Sequence, residues 1–219
     1  MSDQALIDLV RARLESAAVD VSDPQLACLS AYVDLLARWN RRINLTALPV
    51  DPPSPSSIDR LLIEPAQGAR FVRPADRLAM DIGSGGGSPA LPIKIFAPAL
   101  RMTLVESRGR KAAFLREAAR HLGLDEVIVE NTRLETMAQS PGPRGRYELV
   151  SMRAVRADEA LWTAVNALTS STARMLWFRS GDDEPLKIAG WRLIADEALV
   201  GGGQNRLVVL DRVTPGDAG

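Results

Sequence analysis

A glycine-rich segment after a short apolar run carries the residues best suited to chemistry in this chain. Residues 78–92 have the sequence LAMDIGSGGGSPALP, in which Asp81 follows the apolar residues and four glycines lie within positions 83–87. Glycine lets a backbone turn tightly and pass close to a ligand. The dinucleotide pattern G-x-G-x-x-G/A would need glycine or alanine where the chain has Ser88. The spacing D-x-G-x-G-x-G, by contrast, fits throughout.

A second acid supports this interpretation. The apolar run at residues 102–105 predicts a buried strand, and Glu106 stands at its end, 25 residues after Asp81. An acid in that position can accept hydrogen bonds from both ribose hydroxyls of a bound nucleoside. For the glycines alone, a purely structural turn is the alternative. The glycines and the two acids together resemble the first loop of S-adenosylmethionine-dependent methyltransferases, and the resemblance implies that cofactor and methyl transfer.

Length and charge are those of an ordinary α/β protein. The chain has 219 residues with 27 basic and 27 acidic side chains, so no overall charge indicates a nucleic-acid partner. Its one cysteine, Cys28, cannot form an internal disulfide, and no apolar stretch has membrane-spanning length. The amino terminus lacks a secretory signal pattern. We therefore expect a cytoplasmic protein without membrane contact, for which no oligomer is required.

Metal and histidine chemistry are not expected. One cysteine and one histidine cannot build a zinc site, so we predict no bound metal. The single histidine, His121, falls at the predicted end of a helix. A cation near a helix C-terminus is the ordinary explanation for such a residue, and we assign it no catalytic role.

The elements that must position these residues lie on two sides of a loop. Residues 51–57, DPPSPSS, are rich in proline and serine and are predicted to be irregular. Residues 1–57 are predicted to form a helical extension and residues 58–219 the methyltransferase domain, in which strands alternating with helices predict a mostly parallel sheet. Helices are predicted from Ser22 or Asp23, from Ala90 and from Arg110. Strands are predicted at residues 78–82, 102–105, 127–130, 148–151 and 174–178, followed by a hairpin-like pair at 191–194 and 206–213 with a flexible glycine connection at 201–203.

Several short strings stand in the order and spacing of one methyltransferase family. They are WNRRINLT at residues 39–46, the glycine loop with Pro89 and Pro92, the segment 106–115, RLE at 133–135 and SMRAV at 151–155. From about residue 25 to the end, the chain resembles the bacterial small-subunit ribosomal RNA guanine-N7 methyltransferases, also called glucose-inhibited division protein B. The resemblance implies an α/β, Rossmann-like class I methyltransferase sheet whose last strand is antiparallel, with an N-terminal helical extension. It also implies methyl transfer to guanine N7 of 16S ribosomal RNA.

The resemblance further implies roles for single residues. Cofactor contacts are implied for Asp81, Gly83, Ser84, Gly85 and Gly87 at the methionine part, for Glu106 at the ribose, and for Leu134 and Glu135 at the adenine edge. Arg153, after the fourth strand, would face the reaction site as the catalytic residue and would also contact the cofactor. Its guanidinium can fork toward a phosphate or a purine acceptor edge. The alternative is a structural ion pair with a carboxylate such as Asp81.

The implied acceptor explains the absence of an obvious general base in the sequence. Guanine N7 has a free lone pair and no proton to remove, so the protein must mainly place it in line with the methyl carbon. The base must first be exposed, in a folded loop or by flipping. Solvated helix faces are the ordinary alternative for basic residues. Candidate contacts to small-subunit ribosomal RNA are Arg41, Arg42, Asn44, Arg110 and Lys111.

Some positions depart from the family pattern. Leu61, Glu64 and Pro65 stand where the family has histidine, aspartate and serine, Ser88 replaces an aromatic residue and Arg179 replaces a lysine. These departures keep two alternatives open. One is a methyltransferase of the same fold with a different RNA or a small-molecule acceptor, and the other is a non-catalytic, cofactor-binding, ribosome-associated protein. A nicotinamide oxidoreductase fits least well because the glycine spacing is wrong for it.

Overall fold

The centre of the protein is one mixed β-sheet. The computed structural model describes residues 2–141, 144–181, 188–200 and 205–213. Within these residues the strands are β1 (Leu78–Ile82), β2 (Arg101–Val105), β3 (Val127–Glu130), β4 (Tyr147–Arg153), β5 (Thr169–Ser180), β6 (Trp191–Ala198) and β7 (Asn205–Arg212). The predicted glycine connection at 201–203 lies outside the described residues.

The strands lie in the order β3-β2-β1-β4-β5-β7-β6. The first five strands pair in parallel, and β7 runs antiparallel to both β5 and β6. This arrangement confirms the predicted Rossmann-like sheet with an antiparallel last strand. Chain order reverses between β1 and β4, and ligands of open α/β sheets bind in the crevice at the carboxyl ends of strands at such a switch point.

Helices cover both faces of the sheet. They are α1 (Asp3–Ser16), α2 (Asp23–Asn40), α3 (Pro55–Ile58), a π-helical turn (Asp59–Ile63), α4 (Glu64–Ala69), α5 (Ala90–Phe96), α6 (Gly109–His121), α7 (Leu134–Gln139) and α8 (Glu159–Leu168). The predicted start of α2 is confirmed, because Ser22 caps it and exchanges hydrogen bonds with Gln25 in a capping box.

The prediction that residues 51–57 are irregular is wrong for the last three of them. Helix α3 begins at Pro55, and the Ser54 hydroxyl accepts a hydrogen bond from Ser57 N at 3.1 Å. Proline is favoured in the first turn of a helix, where its missing N–H would have had no partner anyway. Strand β6 is also longer than predicted, because its outer half alternates between exposed and half-buried residues and lacks the apolar run of a buried strand.

Residues alternate between two apolar clusters along the strands. Ala79 of β1 and Leu149 of β4 pack with helices α1, α2, α5 and α6 on one face, and Met80 and Val150 pack with α7 and α8 on the other. This alternation is the period of two expected of a strand buried on both faces. The helices of the N-terminal extension therefore share one core with the sheet.

A buried tyrosine ties this extension to the glycine loop. Tyr32 of α2 is fully buried, and its hydroxyl donates a hydrogen bond of 2.7 Å to the carbonyl oxygen of Gly86. Burial raises the pKa of Tyr32 well above its ordinary value, so the hydroxyl stays a donor at neutral pH. The position of the loop after β1 thus depends on a helix more than forty residues earlier in the chain.

We expect the variant Tyr32→Phe to lower the free energy of unfolding by about 1 to 2 kcal/mol, because the Gly86 carbonyl loses its donor. The matched control is the other tyrosine, Tyr147, which is also buried and whose hydroxyl lies 3.2 Å from Thr103 Oγ1. Tyr32→Phe and Tyr147→Phe are compared by urea unfolding and by calorimetric titration with S-adenosylmethionine. Both should lose stability, and only Tyr32→Phe should also weaken cofactor binding. Equal cofactor affinity in the two variants would contradict the inference that the Tyr32 hydrogen bond positions the glycine loop for the cofactor.

Candidate active site

The glycine loop begins where β1 ends and is fastened to the neighbouring strand. The backbone N–H groups of Gly83 and Ser84 both donate to the carbonyl of Val105, at 2.9 and 3.1 Å. Gly83 has φ of +67°, and a Cβ atom added there would lie 2.9 Å from Val155 Cγ2. A side chain at this position is therefore excluded both by backbone conformation and by contact.

Glu106 at the end of β2 fixes the middle of the loop. Its carboxylate is buried, with Oε2 accepting from Gly85 N at 2.9 Å and Oε1 accepting from Arg108 N at 2.8 Å. Each carboxylate oxygen has two acceptor sites, so two backbone bonds leave capacity for further donors. The structure thus holds this acid in one orientation beside the loop, as the sequence predicts for a ribose-binding residue.

A cavity of about 540 Å³ opens over the loop and the strand ends. Its size falls within the range of about 300–1,000 Å³ usual for small-molecule sites. Six of the predicted site residues line it, namely Gly83, Ser84, Gly85, Glu106, Lys111 and Arg153. Six residues predicted for the site therefore share one concavity at the switch point of the sheet.

The N-terminal extension supplies the opposite wall of this cavity. Leu36 of α2 and the segment 45–48 line it. Asn40 shapes that segment, because its Oδ1 accepts from Leu45 N at 2.9 Å and from Thr46 N at 3.0 Å. Leu36, Leu45 and Leu48 have no polar group that would mark them as site residues in a sequence, and the sequence analysis missed them.

Other predicted site residues lie away from the cavity wall. Gly87 is buried under α5, and Leu134 and Glu135 begin α7. Arg41 pairs with Asp51 at 2.6 Å, and Arg42, Asn44 and Arg110 are exposed. The structure does not gather these residues at one place, and the roles assigned to them stay predictions.

Asp81 lies beneath the loop and not on the cavity surface. It is 1% exposed, and its Oδ1 accepts a hydrogen bond of 2.6 Å from Ser151 Oγ on the adjacent strand β4. Its Oδ2 has no hydrogen-bond partner among the described residues. Burial raises the pKa of Asp81 to about 6, partly opposed by the hydrogen bond from Ser151. A buried carboxylate oxygen without a donor is a group that a bound cationic ligand or water can satisfy.

Arg153 lies at the end of β4 with its guanidinium almost fully buried. The Nη2 atom lies 2.9 Å from Glu64 Oε2, and Nη1 donates to the carbonyl oxygen of Arg60. Its Cζ atom sits 4.6 Å from the ring centre of Phe178, its neighbour on β5. Burial lowers the pKa of Arg153 to about 10, so the group remains charged at neutral pH. The ion pair considered from the sequence exists, but its partner is Glu64 and not Asp81.

Glu64 is a site residue that the sequence analysis missed. It is 1% exposed and also lies 3.2 Å from Arg60 Nη1. Burial raises the pKa of Glu64, and the two guanidinium groups oppose that shift. The available signal was the replacement of the family's aspartate by another acid four residues after an arginine. It indicated that this chain keeps an acid at that position, but only the fold shows that Arg153 is its partner.

A second cavity of about 370 Å³ adjoins the first. Arg60 and Ala154 belong to the walls of both. The second cavity is also lined by Trp177 and Phe178 of β5 and by Arg179, whose guanidinium carbon lies 4.7 Å from the Trp177 ring centre. A flat, aromatic and cationic wall of this kind suits a planar base or an anionic group.

Residues 25–187 match the sequence profile of the family described as rRNA small subunit methyltransferase G. The chain belongs to this family. The match confirms the predicted family and its enzyme class. A Ribosomal RNA small subunit methyltransferase G from Xylella fastidiosa is 38% identical over 178 residues, covering 80% of each chain. One from Chloroflexus aggregans is 42% identical over 137 residues, which span 63% of this chain and 56% of that protein.

Solved structures with a similar fold have low sequence identity to this chain. A SAM dependent methyltransferase from Aquifex aeolicus aligns with a TM-score of 0.56 and 14% identity, over 74% of this chain and 94% of that one. Pyrococcus horikoshii TYW2, solved in complex with MeSAdo, aligns with a TM-score of 0.54 and 17% identity, over 72% of this chain and 62% of that one. These likenesses concern the fold alone.

Two further observations concern metals and membranes. Within residues 2–141, 144–181, 188–200 and 205–213, no group of three or more metal-binding side chains comes together. Every helix in the same described part of the chain is too short or too polar to cross a lipid bilayer.

We expect Gly83→Ala to weaken binding of S-adenosylmethionine by about tenfold or more, because the new methyl group both strains the backbone and displaces Val155 at the cavity wall. Gly123→Ala is the matched control, since Gly123 has φ of +61° with nothing within 4 Å of the added Cβ. Both variants should lose roughly 1 to 2 kcal/mol of stability from the left-handed conformation. Equal cofactor affinity in the two variants, measured by calorimetric titration, would remove Gly83 from the site.

Stability should depend on pH through Asp81. Its pKa is about 6 in the folded protein against an ordinary value of 3.8, so the folded state binds this proton more tightly than the unfolded state does. Stability should therefore fall as the pH rises from about 4 to about 6, by about 3 kcal/mol. Asp81→Asn should remove this slope in urea unfolding, whereas Asp125→Asn, an exposed aspartate before β3, should keep it. A slope retained in Asp81→Asn would contradict this assignment.

Proposed function

We propose that this protein transfers a methyl group from S-adenosylmethionine to N7 of a guanine in small-subunit ribosomal RNA, in the cytoplasm. The observation that carries the proposal is the buried, charged Arg153, which lines a nucleoside-sized cavity that adjoins a second, aromatic-lined cavity. Membership of the rRNA small subunit methyltransferase G family supports the same reaction.

The residues around the glycine loop fit the cofactor. Glu106, oriented by two backbone N–H groups, is placed to accept the ribose hydroxyls, and Gly83 and Gly85 allow close approach of the backbone. We keep Asp81, which lies beneath the loop with no hydrogen-bond partner for its Oδ2 among the described residues, as the proposed acid that orients the cationic end of the methionine part. When bound, S-adenosylmethionine supplies an electrophilic methyl carbon on a positively charged sulfur. We keep Gly87, Ser84, Leu134 and Glu135 as proposed cofactor contacts.

The protein's own task is to place the acceptor atom. Guanine N7 carries no proton, so the reaction needs orientation and exclusion of water more than a general base. The Nε atom of Arg153 makes no hydrogen bond to any described residue, whereas Nη2 meets the Glu64 carboxylate, so Nε is the donor that these residues leave unused. A guanidinium can bind the O6 edge of guanine or a phosphate, and we propose Arg153 as the residue that orients the acceptor.

We propose that the acceptor guanine enters the second cavity. Trp177 and Phe178 give it apolar ring surface, and the cavity meets the cofactor cavity at Arg60 and Ala154. A base must leave its stack to reach such a pocket, and proteins commonly receive flipped bases against aromatic side chains. The proposed contacts to the RNA are of two kinds. Arg108 and Lys111 line the first cavity. The exposed residues Arg41, Arg42, Asn44 and Arg110 lie close in sequence to residues that line this cavity.

One observation favours a different acceptor as the second candidate function. Two of the departures from the family pattern touch each other, because Ser88 Oγ donates a hydrogen bond of 2.9 Å to the carbonyl oxygen of Leu61. Both residues line the cofactor cavity. Together the two changes replace an imidazole and an aromatic ring of the family pattern at the wall of this cavity, which would alter the surface offered to an acceptor.

Incubation of the purified protein with radiolabelled S-adenosylmethionine and small ribosomal subunits from a strain lacking the gene tests the proposal. We expect label in 7-methylguanosine. Arg153→Ala and Arg153→Lys should lower kcat by about a hundredfold or more, since both remove the forked donor set. Arg156→Ala, at a 91% exposed arginine three residues later, should stay within about threefold of the wild type.

Two outcomes would contradict the proposal. Tight cofactor binding without label in any ribosomal RNA would favour a non-catalytic, ribosome-associated protein. Label in another nucleoside or in a small molecule would favour the second candidate.

A further inference from the structure

Glu64 occupies an unusual place for an acid, beneath the wall that separates the two cavities. It is 1% exposed and faces two arginines, with Arg153 Nη2 at 2.9 Å and Arg60 Nη1 at 3.2 Å. Asn205 Nδ2 also donates to its Oε1 at 2.8 Å. A buried carboxylate is tolerated only when it is paired and hydrogen-bonded, and Glu64 meets both conditions.

The backbone before Glu64 supplies a second contact to Arg153. In the π-helical turn, Glu64 N donates to the carbonyl of Asp59, five residues back, and not to that of Arg60 as in an α-helix. The next residue is Pro65, which has no N–H. The Arg60 carbonyl therefore has no helical donor four or five residues on, and Arg153 Nη1 donates to it instead.

The third contact comes from the sheet. Arg153 pairs with Phe178 across β4 and β5, and the ring lies 4.6 Å from the guanidinium carbon. The acid, the carbonyl and the ring thus surround the guanidinium from three different elements. These contacts engage Nη1 and Nη2 and leave Nε without a hydrogen bond among the described residues.

A chain of side chains closes the arrangement at the sheet edge. Arg60 Nη2 donates to Ser180 Oγ at 2.7 Å, and Ser180 Oγ donates to Asn205 Oδ1 at 3.1 Å. Asn205 Nδ2 in turn donates to Glu64 Oε1. Strands β5 and β7 therefore hold the carboxylate in place from the side opposite to Arg153. Such a closed polar ring fixes the rotamer of Glu64 more firmly than a single ion pair could.

We propose that Glu64 is a positioning residue for methyl transfer, which with the Arg60 carbonyl and the Phe178 ring forms a socket that fixes the Arg153 guanidinium at the wall of the first cavity. Its kinetic consequence rests on the function proposed above. Two departures from the family pattern then serve one purpose. Glu64 has one methylene more reach than the family's aspartate, and Pro65 leaves the Arg60 carbonyl free for the arginine.

The kinetic test is a double-mutant cycle measured with small ribosomal subunits as acceptor. Glu64→Gln should lower kcat by about tenfold or more, with the cofactor dissociation constant within about threefold of the wild type. In an Arg153→Ala background the same change should add less than about threefold, because the residue on which it acts is gone. The matched control is Asp59→Asn, in the same turn, which breaks a bidentate ion pair to Arg13 at 2.7 and 2.8 Å and should multiply independently with Arg153→Ala. Full multiplicativity for Glu64→Gln would overturn the proposal.

A second readout needs no acceptor. The Arg153 side-chain N–H signals, assigned by their loss in Arg153→Lys, should report a rigid guanidinium in the wild-type protein by ¹⁵N NMR. They should move toward the values of a free arginine in Glu64→Gln and, to a smaller extent, in Pro65→Ala, which restores a competing backbone N–H. Unchanged signals in both variants would overturn the socket. A wild-type protein that labels no RNA but shows these shifts would refute the proposed function and leave the socket standing.

Discussion

The arrangement of the site depends on a positive charge held inside the protein. Removing a guanidinium from water is costly unless it is paired and hydrogen-bonded. Arg153 meets a carboxylate, a backbone carbonyl and an aromatic ring, supplied by α4, the π-helical turn and β5. The turn and α4 are adjacent to each other but lie far from β4 and β5 in the chain, so the charge cannot be accommodated until the helices of residues 55–69 have docked on the sheet. The fold and the functional group therefore constrain each other.

The N-terminal helices also help to shape the site. They pack in one core with the sheet, and they also form a wall of the cofactor cavity through Leu36 and the segment 45–48. The Tyr32 hydroxyl and the Asn40 amide oxygen set the distance between that wall and the glycine loop. We propose that the N-terminal extension, residues 1–57, supports this wall of the cavity. Loss of packing in α2 would then weaken cofactor binding.

Local signals in the sequence predicted the sheet and six of the residues that line the first cavity. Apolar runs ending in an acid or in glycines located β1 and β2, and the glycine loop and Glu106 at their ends line the first cavity. The features that depend on long-range packing could not be predicted from the sequence. Glu64 reaches Arg153 across 89 residues of sequence, and the π-helical turn that frees the Arg60 carbonyl has no pattern in a single sequence. Apolar cavity residues such as Leu45 look like any core residue. Asp81 was identified as an important acid, but its burial under the loop follows from the register of β1 against β4.

The contact between Ser88 and Leu61 has a consequence for ligand selectivity. Both side chains are small or apolar where the family pattern has an aromatic ring and an imidazole, and both face the cofactor cavity. A compound that gains affinity for relatives by stacking on that ring would find no flat surface here. A compound with a compact apolar group directed at Leu61 would find room in this protein that an aromatic side chain fills in its relatives, so discrimination between family members can be sought at this mouth without altering the part that fits Glu106.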